Sequence, residues 1–239
     1  MKQYAVMPDH IHFILDIRNG TEYHLGDLIS IFKHAINDFA GTKGVFEDGF
    51  HDRILGGPGQ YDRMVHYVKD NARRRLITAN LKEFFGQPKL IEIAGSEYVL
   101  YGNFFLLKNP VFSNVRFSSK YTEEELKSRC REWEETIRSN GVLVSPFIHH
   151  KEKEFRDRAI VNGASLIQFT REPIGERFKP AGRFFDLCAE GRLLLISTYR
   201  SGQTEKISRA EAMAMNALAE SICSSDGSTM SLRSLPKIR

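Results

Sequence analysis

Two histidines near the start of the chain are the first residues whose type and spacing suggest chemistry. His10 and His12 flank Ile11 in the run HIHFILDI. Side chains alternate between the two faces of a β-strand, so a strand here would place both imidazoles on the same face. Imidazole is the commonest metal-binding side chain, and two of them form half of a metal site. A pair of this kind also occurs on ordinary strand surfaces, so further ligands are needed to give it a function.

A second group of polar residues lies on a predicted helix further along the chain. Tyr67 and Asn71 are four residues apart, and residues at this spacing lie on one face of a helix. Arg63 precedes Tyr67 by one turn, and Arg74 and Arg75 follow Asn71. Taken alone, this stripe would be a solvent-exposed helix surface with a half-buried tyrosine.

The two groups together contain what is needed to cut and rejoin a phosphodiester. A divalent cation, Mg²⁺ or Mn²⁺, bound by His10, His12 and the amide oxygen of Asn71 would polarise a phosphate and neutralise its charge. The hydroxyl of Tyr67 could then act as the nucleophile and hold a DNA end covalently. The neighbouring arginines could bind the DNA backbone through bidentate contacts to phosphate. These DNA-binding candidates are Arg63, Arg74 and Arg75.

Three segments in this order and spacing resemble a known family. MPDHIHFIL, GFHDRIL and HYVKDNARRRLI are similar to the motifs of the single-tyrosine HUH transposases, and most of all to those of the REP-associated tyrosine transposases. The resemblance implies that His10, His12 and Asn71 are the metal ligands and that Tyr67 is the nucleophile. It also implies an enzyme that cuts single-stranded DNA next to hairpins and leaves a 5′-phosphotyrosine.

The resemblance has further implications, and the chain departs from the family pattern in two respects. It implies single-stranded or hairpin DNA as the partner, and it leaves the choice between a monomer and a homodimer open. His51, in the second segment, is a candidate DNA-binding residue or a structural one. Family members usually carry another strand and helix before the histidines, so either the start codon is misassigned or the transposase-like domain is truncated. Ala72 and Arg73 stand where the family commonly has Pro-Val, and this change lets the helix continue.

Composition limits the class of protein. The chain has 239 residues, of which 41% are hydrophobic and 27% charged, as in an ordinary globular protein. No stretch approaches the length of a membrane helix and the start is no signal peptide, so we expect a cytoplasmic protein without a membrane partner. Three separated cysteines favour a reduced compartment. The net charge of +4 permits binding to nucleic acid without requiring it.

Hydrophobic patterns divide the chain into four segments and, together with what the resemblance implies for the first of them, predict an α/β protein. The segments are a transposase-like α+β domain with an antiparallel sheet (1–83), a β-hairpin connector (84–112), a Rossmann-like parallel α/β domain (113–223) and a disordered tail (224–239). Within the first segment the patterns predict strands over 3–17 and 45–55 and helices over 24–40 and 59–79. In the third segment they predict strands over 114–119, 142–147, 164–170 and 192–198, with helices after the first two and from 208 to 223.

The third segment loosely resembles the Rossmann-like fold of DNA-processing protein A. Open parallel sheets bind ligands beyond the carboxyl ends of their strands, where Ser145 and Ser197 would lie, near a loop with Arg177. A phosphate or DNA site there is one interpretation, and an accessory domain without a ligand is the other. No GxGxxG follows a strand, so the segment has no dinucleotide fingerprint, and no residues are assigned to bind an organic cofactor. Two alternatives to the nuclease remain: a degenerate DNA-binding protein derived from a transposase, and a nucleotide-binding protein acting through this segment.

Overall fold

The computed structural model of the chain has a mixed α/β architecture and describes residues 1–17, 22–176, 178–225 and 231–235. These residues form two compact units, Met1–Ala79 (unit 1) and Asn80–Arg239 (unit 2). The α/β class predicted from the sequence is confirmed. No helix in the described part of the chain is long and apolar enough to cross a membrane.

Unit 1 begins with an antiparallel hairpin. Strand β1 (Gln3–Val6) pairs with strand β2 (Ile11–Ile14), and Pro8 and Asp9 form the corner between them. The single strand predicted over 3–17 is therefore wrong. Proline presets the backbone dihedral of a turn and has no N–H to donate to a sheet, and aspartate favours turns, so the Pro-Asp step reverses the chain.

Two amphipathic helices complete unit 1. Helix α1 (Leu25–Ala40) and helix α2 (Gln60–Asn80) lie where the sequence predicted helices. Phe32 of α1 packs against Phe13 of β2, with ring centroids 5.6 Å apart. Gly41 ends α1 in the left-handed conformation, which a residue without a Cβ adopts at little cost.

The segment between the two helices has no regular secondary structure, so the strand predicted over 45–55 is wrong. Gly49 has a φ of +82°, which interrupts an extended backbone. The ammonium group of Lys33 donates to the carbonyl oxygens of Glu47 and Gly49, each at 2.5 Å. These hydrogen bonds attach the segment to α1. They also occupy two carbonyl groups that would have to accept hydrogen bonds from a neighbouring strand if the segment belonged to a sheet.

Unit 2 is built on one seven-stranded mixed sheet. Its strands are β3 (Lys89–Ile93), β4 (Ser96–Gly102), β5 (Phe112–Asn114), β6 (Val142–Ser145), β7 (Ser165–Thr170), β8 (Leu193–Ser197) and β9 (Leu232–Ser234). They lie in the order β5-β6-β7-β8-β4-β3-β9. The strands from β5 to β8 are parallel, and β4, β3 and β9 are each antiparallel to the preceding neighbour in that order.

Three segments predicted from the sequence have different boundaries in this sheet. The hairpin within 84–112 lies inside the sheet, because β4 pairs directly with β8. The strand predicted over 114–119 ends at Asn114, where it was expected to begin. Part of the tail predicted over 224–239 forms the edge strand β9, and 226–230 and 236–239 lie outside the described residues.

Helices cover both faces of the sheet. They are α3 (Glu123–Arg138), α4 (His150–Val161), α5 (Arg183–Ala189) and α6 (Arg209–Ser224), together with a 3₁₀ helix (Phe104–Lys108). The sequence analysis did not predict the short α5. Capping boxes at Thr122 and Ser208 define the starts of α3 and α6, since each hydroxyl accepts an otherwise unpaired backbone N–H.

The core of unit 2 consists of two apolar layers separated by the sheet. Val144 and Ile167 point to the layer that contains Leu218 of α6. Leu143 points to the opposite layer, which contains Trp133 of α3. All five side chains are buried, and burying an apolar side chain of this size contributes about 1.5–3 kcal/mol.

A buried asparagine joins β4 to the strand beside it. Asn103 is fully buried; its side-chain Nδ2 donates to the carbonyl of Cys188 at 3.1 Å, and its Oδ1 accepts the N–H of Leu193 at 2.8 Å. Gly102 precedes it with a φ of +111°, and a Cβ there would lie 2.5 Å from the carbonyl oxygen of Leu193. The backbone of β4 therefore approaches β8 too closely for any side chain at this position.

Replacing Asn103 with alanine should destabilise unit 2. The N–H of Leu193 would lose its buried partner, and we expect the free energy of unfolding to fall by about 1–3 kcal/mol. Urea unfolding followed by the fluorescence of Trp133, the single tryptophan, measures this. Asn162→Ala, at the exposed end of α4, is the control and should change stability by less than about 0.5 kcal/mol. Equal effects of the two substitutions would contradict the assigned role of Asn103.

Candidate active site

The hairpin of unit 1 brings the two histidines into direct contact. The Nε2 atoms of His10 and His12 are 2.9 Å apart. Their rings meet edge to face, with centroids separated by 4.6 Å. Both imidazoles therefore lie on the same side of the hairpin, and their outer nitrogens converge on one point.

Helix α2 places Tyr67 beside this pair. The ring centroids of Tyr67 and His12 are 5.7 Å apart, and the rings are at 80° to each other. The tyrosine remains 43% exposed, so its phenol is accessible to a large substrate. Residues that are far apart in sequence are thus neighbours in unit 1.

Asn71 lies on the same side of α2, one turn after Tyr67 and one turn before Arg75. Asn71 therefore lies on the helix between Tyr67, which contacts His12, and Arg75, which contacts Asp9. Its Nδ2 atom is buried and has no hydrogen-bond partner within the described part of the chain. A buried N–H donor without an acceptor is costly, and either a water molecule, or a cation bound after the amide has flipped, would satisfy this position.

Asp9 is a site residue that the sequence patterns did not indicate. Its Oδ1 lies 2.8 Å from Nδ1 of His10 and accepts a hydrogen bond from Nη1 of Arg75 at 3.0 Å. A carboxylate directly before a candidate metal-binding histidine was the available signal, because such histidines commonly donate their second ring N–H to a carboxylate.

The surroundings of these residues set their charges. Burial lowers the pKa of His12, and the neighbouring His10 lowers it further. The hydrogen bond with His10, aided by the charge of Arg75, lowers the pKa of Asp9. At neutral pH, Asp9 is therefore ionised and His12 is neutral. In the bond between the two Nε2 atoms one nitrogen donates and the other accepts, so a single proton lies between them.

The geometry fits a divalent cation. The two Nε2 atoms are 2.9 Å apart, so the lone pairs of both imidazoles could reach one cation once the hydrogen bond between them is broken. The described residues contain no cluster of three or more His, Cys, Asp or Glu side chains that could hold a metal ion, and any third protein ligand here would be of another type. The amide of Asn71 is suitable, because its oxygen and nitrogen can exchange places by a flip.

Two of the predicted DNA-binding arginines lie near Tyr67 on α2. Arg63 is exposed one turn before the tyrosine. Arg74 is half-buried, and its charge contributes to the lowered pKa of Asp70, after the larger effect of the hydrogen bond from Arg73. The helix therefore presents positive charge on both sides of the tyrosine.

The other two predicted DNA-binding residues are placed differently. Arg75 forms an ion pair with Asp9, so its guanidinium is engaged within unit 1. His51 is exposed in the irregular segment between α1 and α2, and not on a strand.

The strand ends of unit 2 are occupied by internal contacts. The hydroxyl of Ser145 accepts the N–H of Phe147 at 3.0 Å, and that of Ser197 donates to the carbonyl of Glu172 at 2.7 Å. Arg177 lies outside the described residues. Both serines therefore stabilise the loops that follow their strands.

Comparison with models of known protein families, with curated proteins and with solved structures finds no match to this chain. A function is therefore proposed from the chemistry of the residues in unit 1 and from their geometry.

Replacing Asn71 with leucine should abolish the binding of a cation without lowering the stability of unit 1. Leucine has a similar volume and removes the unpaired amide, so we expect unit 1 to keep its free energy of unfolding or gain about 1 kcal/mol. Stabilisation of unit 1 by Mn²⁺ should disappear in the same variant, because a ligand stabilises only the state that binds it. Hydrogen exchange of residues 60–80, with and without Mn²⁺, measures both effects.

Asn103→Leu is the matched control, since its amide is fully paired and its loss should destabilise unit 2. If Asn71→Leu lowered the metal-free stability of unit 1 by more than about 1 kcal/mol, the amide would have a structural role instead.

Proposed function

We propose that unit 1 is a single-tyrosine site that cuts and rejoins single-stranded DNA. The contact of His12 with both His10 and Tyr67 carries this proposal. These three residues would combine a cation site made of two imidazoles with an accessible hydroxyl nucleophile. Cleavage of a phosphodiester uses both.

The first task of the protein residues is to hold a divalent cation, Mg²⁺ or Mn²⁺. Nε2 of His10, Nε2 of His12 and the amide oxygen of Asn71 would be its ligands. When bound, such a cation polarises the phosphate and offsets the charge that develops in the transition state. Nitrogen ligands favour Mn²⁺ over Mg²⁺.

The second task is nucleophilic attack. The hydroxyl oxygen of Tyr67 attacks phosphorus and loses its proton to solvent. The bond from phosphorus to the 3′ oxygen breaks, and that oxygen takes up a proton to become a 3′-hydroxyl. The downstream DNA is then held as a 5′-phosphotyrosine ester. Attack by a 3′-hydroxyl reverses the step and joins two strands without a nucleotide cofactor.

The third task is to bind the DNA backbone close to the tyrosine. Arg63 and Arg74 lie within two turns of Tyr67, and guanidinium groups bind phosphate through paired hydrogen bonds. Such contacts position the strand without reading its sequence.

A covalent capture experiment tests this function. The full chain is incubated with a library of single-stranded hairpin oligonucleotides and Mn²⁺ or Mg²⁺, then denatured and run on a gel. We expect a protein adduct that carries a 3′-terminal label and not a 5′-terminal one, because the downstream fragment stays attached. The adduct should be absent with Tyr67→Phe and with a chelator.

Tyr61→Phe is the matched control, because Tyr61 lies on the same helix and is 45% exposed, against 43% for Tyr67. It should keep the adduct. An adduct that persists in Tyr67→Phe would assign the nucleophile elsewhere. DNA binding without any adduct would favour the degenerate DNA-binding protein.

A further inference from the structure

A chain of three polar contacts leads from helix α2 to the histidine pair. Nη1 of Arg75 donates to Oδ1 of Asp9 at 3.0 Å. The same carboxylate oxygen is 2.8 Å from Nδ1 of His10. Nε2 of His10 is in turn 2.9 Å from Nε2 of His12.

We infer that Asp9 and Arg75 are positioning residues that orient His10 for cation binding, an inference that rests on the proposed function of unit 1. An ionised carboxylate only accepts hydrogen bonds, so Nδ1 of His10 must be the donor to Asp9. With the proton on Nδ1, the neutral form of this imidazole has its lone pair on Nε2, the nitrogen that faces His12. In this tautomer the nitrogen facing His12 can bind a cation.

The ion pair between Asp9 and Arg75 also aligns two elements of unit 1. Asp9 is at the corner of the hairpin, and Arg75 is on α2 one turn after Asn71. Their ion pair therefore joins the element that carries His10 to the element that carries Asn71 and Tyr67. Both side chains are substantially exposed, so the pair contributes little to stability and acts through alignment.

The tautomer of His10 tests the inference in the metal-free full chain. Nitrogen-15 NMR of the imidazole distinguishes a proton on Nδ1 from one on Nε2. We expect the Nδ1–H form in the wild type and a shift towards the Nε2–H form in Asp9→Ala. Asp9→Asn keeps an acceptor oxygen and should retain the Nδ1–H form. An unchanged tautomer in Asp9→Ala would overturn the inference.

The affinity for Mn²⁺, measured by titration, tests the consequence for the site. Loss of a carboxylate that supports a metal-binding histidine typically weakens binding 10- to 100-fold, and we expect about 10-fold for Asp9→Ala because Asp9 is exposed. Asp9→Asn should recover part of the loss, and Arg75→Gln should show a smaller one. Asp70→Ala, which removes the ion pair between Asp70 and Arg73 of α2, is the control and should bind as the wild type does.

Failure of the inference about Asp9 and Arg75 can be distinguished from failure of the proposed function. If the wild type does not bind Mn²⁺, the proposed function fails whatever the tautomer of His10. If the wild type binds Mn²⁺ and Asp9→Ala binds it equally well, the inference fails and the proposed function stands. Hydrogen exchange of residues 60–80 on the same samples identifies a variant whose unit 1 has unfolded. Retention of the tautomer and affinity of a folded Asp9→Ala would overturn the inference.

Discussion

The packing of the β1–β2 hairpin against helix α2 is the contact on which the candidate site depends. The hairpin carries the histidines and the helix carries Tyr67 and Asn71, so neither element contains a site alone. A two-stranded hairpin is only marginally stable in water by itself. The polar contacts between the elements are exposed and add little stability, so the apolar side chains of unit 1, such as the buried Ile14 and Val68, must supply most of it. The residues to which chemistry is assigned in the proposed site thus differ from those that stabilise the unit.

Unit 2 contrasts with this arrangement. Its parallel strands have the architecture in which ligands often bind beyond the carboxyl ends, yet the serines at two of those ends hold their own loops. Burial raises the pKa of the Cys188 thiol to about 12, which makes it a structural core group and a poor nucleophile. Fold class alone would have directed attention to unit 2, whereas the residue chemistry directs it to unit 1.

The sequence predicted the long amphipathic helices from their periodicity, and it predicted β6, β7 and β8 of the parallel sheet from their short apolar runs. It also indicated His10, His12, Tyr67 and Asn71 from residue type and spacing. The Pro8–Asp9 turn was misread as a step within a strand, because turn signals were given less weight than the alternating pattern around them. The pairing of β4 with β8 could not be predicted, since it joins residues distant in sequence. The contact between Asp9 and Arg75, within unit 1, likewise depends on tertiary packing and leaves no periodic signal.

X-ray diffraction at the manganese absorption edge, from crystals of the full chain soaked in Mn²⁺, tests the central claim most directly. The account predicts one anomalous peak bound by Nε2 of His10, Nε2 of His12 and the amide oxygen of Asn71, with the Tyr67 ring beside it. A Mn²⁺ ion bound elsewhere at full occupancy, with the contact between the two imidazoles intact, would contradict the claim that these residues form one metal-dependent site.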